Sequence, residues 1–287
     1  MFDRFVVVDW SANSTPKLGR DSIWIGVCDG AGRLSLRNLA TRSAAEAFLV
    51  ELFESDPTSS TLLGVDFSLG YPAGTAAALG LTGTGWSAMW SLLAELIDDD
   101  DRNCNNRFGV AALLNQRLTG EAAPFWGCPS SVACRHLATT KPIDAGPLAP
   151  FRATEELLRS EGRRPFSSWQ LLGAGAVGSQ SLLGIGRLHG LWRRFGERME
   201  IWPFTTGFAG PTLGEGAIVV AEVWPSMLAI DDAGEMVRDA AQVSAAALWL
   251  AETDDSGGLD ALFAPVLGPT VSAAAVAEEG WVLGVVP

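Results

Sequence analysis

Phe5-Val6-Val7-Val8-Asp9 and Thr61-Leu62-Leu63-Gly64-Val65-Asp66 are two continuous apolar runs, and each ends in an aspartate. Continuous apolar runs of this length are typical of strands that are covered on both faces of a sheet. Helix signals follow both runs, so the pattern predicts an α/β fold in which helices pack on a mostly buried sheet.

The segments around these two runs predict the remaining elements. Residues 22–28 and 33–39 flank a turn at 29–32 and predict a hairpin after the first strand. Ser43, with Glu46 three residues later, predicts the start of a helix before residues 61–66. Later elements are expected as helices at 86–97, 175–194 and 237–251 and as strands at 201–204, 217–224 and 281–286.

The domain organisation follows from length and composition. With 287 residues and a hydrophobic fraction of 48%, the chain can bury a substantial core, which excludes a disordered protein. No repeat or low-complexity linker divides it, so residues 1–287 are interpreted as a single elaborated domain. Residues 75–170, which contain Gly-, Pro- and Arg-rich stretches, are expected to form a long, partly helical insertion.

The charge is distributed unevenly along the chain. The net charge is −13, which argues against a grip on nucleic acid over the whole surface. Residues 102–200, however, carry 13 basic and 7 acidic side chains, a balance of +6. This basic middle predicts local contact with phosphate, unless it is an ordinary solvated surface.

The cysteines and the apolar runs bear on location. Four cysteines without a CxxC pair favour reduced thiols, and we expect a cytoplasmic protein. The N-terminus does not read as a secretory signal, and no apolar run approaches the roughly 20 residues that span a bilayer, so no membrane partner is expected. The oligomeric state is left open.

Residues 173–178, Gly-Ala-Gly-Ala-Val-Gly, match the GxGxxG dinucleotide fingerprint. A weak strand at best precedes this motif, and it comes late in the chain, whereas a Rossmann domain normally begins with it. Close packing or a sharp bend explains these glycines more simply, so we expect no nucleotide cofactor.

Four carboxylates stand out by position. Asp9 and Asp66 end strands, Glu222 lies within the late strand, and Asp239 lies in the first turn of an Ala-rich helix. An acid inside an apolar strand is costly to bury unless it is paired or bound to a cation. Several acids at corresponding strand ends favour a shared divalent ion, Mg²⁺ or Mn²⁺ for all-oxygen ligands. Taken alone, each of them is also compatible with a structural role.

The order of these motifs resembles the ribonuclease H-like superfamily, and within it an uncharacterised bacterial family of predicted nucleases. The matching pieces are Val8-Asp9, Gly64-Val65-Asp66-Phe67-Ser68-Leu69-Gly70-Tyr71-Pro72, Glu222-Val223-Trp224-Pro225, the helix that starts at Asp239, and Glu279-Gly280-Trp281-Val282-Leu283-Gly284. The resemblance implies a mixed five-stranded sheet of order 3-2-1-4-5, flanked by helices. It also implies that Asp9, Asp66 and Asp239 bind metal.

The leading hypothesis is a metal-dependent phosphodiester hydrolase that acts on a short nucleic acid, a nucleotide or a small phosphate ester. Asp9, Asp66, Glu222 and Asp239 are its expected catalytic residues, with Glu222 as a further ligand or a base that orients water. The side chains expected to contact substrate are Ser11, Ser68, Arg102, Arg107, Arg135, Lys141 and Arg152. Two alternatives stay open: a nucleotide-binding phosphotransferase of the actin-like superfold, whose phosphate loops would follow Asp9 and Asp66, and a non-catalytic binding module.

Overall fold

The computed structural model describes residues 2–143, 146–173, 175–228 and 236–287. The strands are β1 (Arg4–Asp9), β2 (Ile23–Asp29), β3 (Leu34–Leu39), β4 (Thr61–Val65), β5 (Met199–Ile201) and β6 (Ile218–Glu222). The helices are α1 (Arg42–Ser55), α2 (Thr75–Ala78), α3 (Gly85–Leu96), α4 (Arg107–Leu118), α5 (Ala153–Ser160), α6 (Gly178–Phe195), α7 (Arg238–Asp255), α8 (Leu259–Phe263) and α9 (Pro269–Ala274).

The strands form one mixed sheet in the order β3-β2-β1-β4-β6-β5. The β1–β2 and β2–β3 pairs are antiparallel, whereas β1–β4, β4–β6 and β5–β6 are parallel. The prediction of an α/β fold with a mixed sheet is confirmed, but the expected number of five strands is wrong. The sixth strand is the short edge strand β5, which ends at Ile201, ahead of Pro203, a residue without an amide hydrogen for a ladder.

Two apolar clusters cover the faces of the sheet. On one face, Val6, Val8 and Leu63 pack with residues of α1, α3, α4 and α6. On the other face, Val7 and Leu62 pack with α7, α8 and the C-terminal segment. Burial on both faces explains why β1 and β4 read as continuous apolar runs.

Helix α7 lies directly across β1 and β2. The close approach depends on Gly26 in β2, because a Cβ atom at that position would stand 2.8 Å from the main-chain oxygen of Val243. This packing brings the first turn of α7 to the sheet edge at which β1 ends.

Several boundaries differ from the sequence predictions. Helix α1 is capped by the Thr41 hydroxyl, which accepts from Ala44 N, and not by Ser43. The expected last strand is reduced to one bridge, in which Leu283 N donates to Glu222 O at 2.8 Å. The region expected as an insertion contains α2, α3, α4 and α5. None of the helices in the described ranges is long and apolar enough to cross a membrane.

Candidate functional site

Asp9 and Asp66 lie side by side because their strands are parallel neighbours in register. Val8 pairs with Val65, so the next residue of each chain segment is an aspartate at the same edge of the sheet. The main chain confirms the alignment, since Asp66 N donates to Val8 O at 3.2 Å. Successive side chains alternate between faces. Val8 and Val65 face the α6 side, so both acids are directed toward the side of α7.

The two carboxyl groups lie close enough to change each other's ionisation, and both are half-buried. Burial raises the pKa of Asp9 well above its ordinary value, and the charge of Asp66 raises it further. Burial also raises the pKa of Asp66 to about 6, although hydrogen bonds from Asp9 and from Trp10 N oppose this rise. Both carboxyl groups therefore ionise less readily than exposed aspartates do.

Asp239 completes what we call the acid cluster, defined as Asp9, Asp66 and Asp239. It lies in the first turn of α7, as the sequence predicted, and is half-buried. Its charge raises the pKa of both Asp9 and Asp66. Its Oδ2 accepts a hydrogen bond of 2.7 Å from the main-chain N of Asp21, a residue with a positive φ of 52°.

In the described part of the chain, the acid cluster has no cationic partner. Within the described residues, no Lys or Arg side chain forms an ion pair with any of its three members. By contrast, Asp99 is paired with both Arg42 and Arg187. No three His, Cys, Asp or Glu side chains in the described ranges are already arranged as a metal site. The donor chemistry nevertheless suits a hard cation, because two carboxyl groups meet and a third lies close enough to affect their ionisation.

Gln180 is a member of the site that the sequence did not single out. Its Nε2 donates to Trp10 O and lies 3.4 Å from Asp66 Oδ2. Trp10 N in turn donates to Asp66 Oδ1 at 2.7 Å. The start of α6 therefore fixes Asp66 from the face opposite to α7. The only sequence signal was the glycine-rich stretch that precedes this helix.

The segment 10–14, which we call the 10–14 loop, follows Asp9 and is held by a buried arginine. Arg42 Nη1 donates to the main-chain oxygens of Ser11 and Asn13, both at 2.8 Å. The hydroxyl of Ser11, a predicted substrate contact, donates to Asp21 O. Asp21 N donates to Asp239, so Asp21 links Ser11 to the acid cluster.

Glu222, another predicted catalytic residue, has a different environment. Its side chain is fully buried and forms a bidentate ion pair with Arg152, with N–O distances of 2.7 and 2.8 Å. Its carboxylate also accepts from Leu69 N and Trp224 Nε1. The pairing of Glu222 with Val65 places its side chain on the face opposite to Asp9 and Asp66. Glu222 is thus a structural ion-pair partner in this arrangement, and we do not include it in the acid cluster.

Arg152 was expected to hold phosphate, but all five of its donor hydrogens already have acceptors. Nε and Nη2 lie 2.8 and 2.7 Å from Glu155 Oε1, both Nη atoms bind Glu222, and Nη1 also donates to Glu279 O. The side chain is fully buried. A phosphate contact would require breaking this network, so the structure corrects that expectation.

The other predicted substrate contacts are divided between surface and interior. Arg102, Arg135 and Lys141 are exposed, and none of them forms a hydrogen bond or ion pair with the acid cluster in the described residues. Ser68 is fully buried, and its hydroxyl has no hydrogen-bond partner in the described ranges. Arg107 is buried beside the 10–14 loop, where its Nη1 donates to Ser14 Oγ at 2.9 Å.

The GxGxxG stretch opens α6 without a preceding strand in the described residues, apart from a bridge between Trp126 and Gln170. A Cβ atom at Gly178 would stand 2.5 Å from Ser168 O, so this glycine permits close packing. This agrees with the structural interpretation of the motif. No protein-family model, no curated protein and no solved structure matches the chain.

Proposed function

We propose that the protein is a metal-dependent phosphodiester hydrolase with a ribonuclease H-like fold. The observation that carries the proposal is the acid cluster: two carboxyl groups in contact at the ends of adjacent parallel strands, a third beside them, and no Lys or Arg paired with them in the described residues. Carboxylates brought together without a counter-charge are costly unless a proton or a metal ion neutralises them.

Asp9 and Asp66 are the proposed ligands of Mg²⁺ or Mn²⁺, and Asp239 is the proposed third ligand once it leaves Asp21 N. A divalent ion at such a site polarises a phosphoryl oxygen and lowers the pKa of bound water. The protein's own contribution is positioning. Trp10 N and Gln180 fix the orientation of Asp66, and the parallel register fixes Asp9 against it.

The direct test measures hydrolysis of single-stranded RNA, single-stranded DNA and bis(4-nitrophenyl) phosphate with Mn²⁺. We expect the wild type to be active and Asp9→Asn to lose at least about 100-fold in kcat/KM, because loss of a metal ligand should cost no less than loss of the groups that orient such ligands, about 10- to 100-fold. Asp101→Asn is the matched control, because this aspartate is exposed and forms no ion pair with any residue that the structure describes. Equal activity in the wild type and Asp9→Asn would contradict the proposal.

The same preparations separate the two alternatives. Thermal stabilisation by ATP, without phosphodiester hydrolysis, would favour the actin-like phosphotransferase. Calorimetry that detects no Mn²⁺ binding would favour a non-catalytic module.

A further inference from the structure

Arg107 carries a largely buried positive charge that forms no ion pair in the described residues. Its side chain is 7% exposed, and its guanidinium stacks on the ring of Phe108, with Cζ 4.3 Å from the ring centroid. The charge of Arg42 lowers the pKa of Arg107, whereas Asp99, which is itself paired with Arg42, raises it. A largely buried guanidinium that no carboxylate contacts in the described residues points to an anionic ligand.

The guanidinium of Arg107 has one edge available for such a ligand. Nη1 is used, since it donates to Ser14 Oγ at 2.9 Å and to Asn105 Oδ1 at 2.7 Å. Nε donates to Ser179 Oγ at 3.0 Å. Nη2 shares the edge of Nε and has no acceptor in the described part of the chain. Nη2 therefore lies on the guanidinium edge that contacts Ser179 at the start of α6.

The start of α6 adds donors of its own. Gly178 N is bound to Gln170 O, but the main-chain N–H groups of Ser179 and Gln180 have no acceptor in the described residues. The N-terminus of an 18-residue helix favours an anion through these groups and through the helix dipole. The contact of Arg107 Nε with Ser179 Oγ places the guanidinium beside the first turn of α6.

That position adjoins the acid cluster. Gln180, next to Ser179 in α6, contacts Asp66 through its side chain, and Ser14 lies in the loop that follows Asp9. We propose, on the basis of the proposed function, that Arg107 and the N–H groups of Ser179 and Gln180 bind the phosphate next to the one that is cleaved. The substrate class is then an oligonucleotide with at least two phosphates, and not a small diester with one.

The experiment compares ligands that differ by one phosphate. TpT contains a single internal phosphodiester, whereas pTpT and TpTp each carry one additional terminal phosphate. Dissociation constants are measured by ligand-detected NMR without divalent ions, and kcat/KM is measured with Mn²⁺. The variants are Arg107→Gln, Arg107→Lys and, as a control in the same helix, Arg117→Gln, whose side chain is exposed.

For Arg107→Gln we expect about tenfold weaker binding and about tenfold lower kcat/KM for pTpT or for TpTp, the loss typical of a hydrogen bond to a charged group. For TpT we expect a smaller loss than for pTpT or TpTp, with Arg107→Lys intermediate and Arg117→Gln matching the wild type. Circular dichroism and the melting temperature show whether each variant has folded.

Equal losses on TpT and on the longer ligands, or no loss on any of them, would overturn the inference. If Arg107→Gln does not fold, the same comparison of TpT with pTpT and TpTp is made with Arg107→Lys, and its result tests the inference. A wild type that binds pTpT through Arg107 but cleaves nothing would refute the proposed function and leave this phosphate site supported.

Discussion

The side chains of Asp9 and Asp66 lie next to each other at the point where β1 and β4 end side by side, and each changes the pKa of the other. A proton on either carboxyl group would compete with a divalent cation for the same oxygens. The metal-free protein therefore stores an unfavourable electrostatic interaction at its proposed active site. Its stability and its activity are expected to respond in opposite directions to changes at these residues.

Replacement of Asp9 by Asn is the first test of this opposition. Without divalent ions at pH 8, we expect Asp9→Asn to raise the free energy of unfolding by about 1–2 kcal/mol, because a neutral amide removes the like charge beside Asp66. Urea denaturation measures the change, and Asp101→Asn is expected to have no effect. With Mn²⁺, the melting temperature should rise for the wild type but not for Asp9→Asn. Destabilisation of the metal-free variant would contradict the assignment.

The pH dependence of stability provides a second test. Asp66 has a pKa of about 6 in the folded protein, against about 3.9 in an unfolded chain. Between these values the folded state binds more protons, so this contribution to stability is complete below about pH 4 and is lost as the pH rises through 6. We expect the free energy of unfolding of the metal-free protein to fall over this window, and to fall less in Asp9→Asn. If the free energy of unfolding changed equally with pH in the wild type and in Asp9→Asn, the Asp9–Asp66 pair would not be the source of the pH dependence.

The ion pair between Arg152 and Glu222 is expected to matter for stability and not for chemistry. Glu222→Ala removes one of the two carboxylates that pair with the buried guanidinium of Arg152. It should lower the free energy of unfolding, measured by urea denaturation, by about 3–5 kcal/mol. Glu156→Ala removes an exposed partner of Arg159 and should cost less than about 1 kcal/mol. Glu222→Gln, assayed where it is folded, should retain kcat. Loss of kcat in that folded variant would restore the sequence-based hypothesis that Glu222 orients water.

Gly70 is the position at which the loop after Asp66 meets the C-terminal segment. A Cβ atom there would overlap the main-chain oxygen of Glu278, which cannot move like a flexible side chain. Gly70→Ala should therefore lower the free energy of unfolding by about 3 kcal/mol. Gly109→Ala, in α4 with open space around it, should be neutral or stabilising by up to about 1 kcal/mol. Thermal denaturation of both variants checks the contrast, and equal melting temperatures would contradict it.

Much of the sheet could be predicted from the sequence because local composition determines its central strands. The runs that end at Asp9 and Asp66 are apolar throughout, since both faces of the sheet are covered. The alignment of these two acids followed from parallel pairing alone. The edge strand β5 was harder to predict, because it has only three residues and its pairing with β6 depends on a partner close in space.

The environment of the other candidates depended on contacts between distant parts of the chain. Glu222 and Arg152 are 70 residues apart, and no local pattern indicates that they pair. The sequence alone favours Glu222 as a base and Arg152 as a phosphate contact, and it does not reveal that their charges neutralise each other. Gln180 was missed for the same reason, since it reaches Asp66 across 114 residues. Burial of a charge can be inferred from sequence, but the identity of its partner cannot.

The network around Arg152 also has a consequence for motion. Glu222, an ion-pair partner of Arg152, accepts from Leu69 N. Glu279, whose main-chain oxygen binds Arg152, accepts from Ala73 N and Ala153 N through its carboxylate. These bonds connect the segment after Asp66, helix α5 and the C-terminal segment. In native-state hydrogen exchange, these three amides should exchange only through global unfolding, as slowly as those of the central strands. The segment that follows Asp66 would then behave as part of a rigid frame, which presents the carboxylate to substrate without a closing movement.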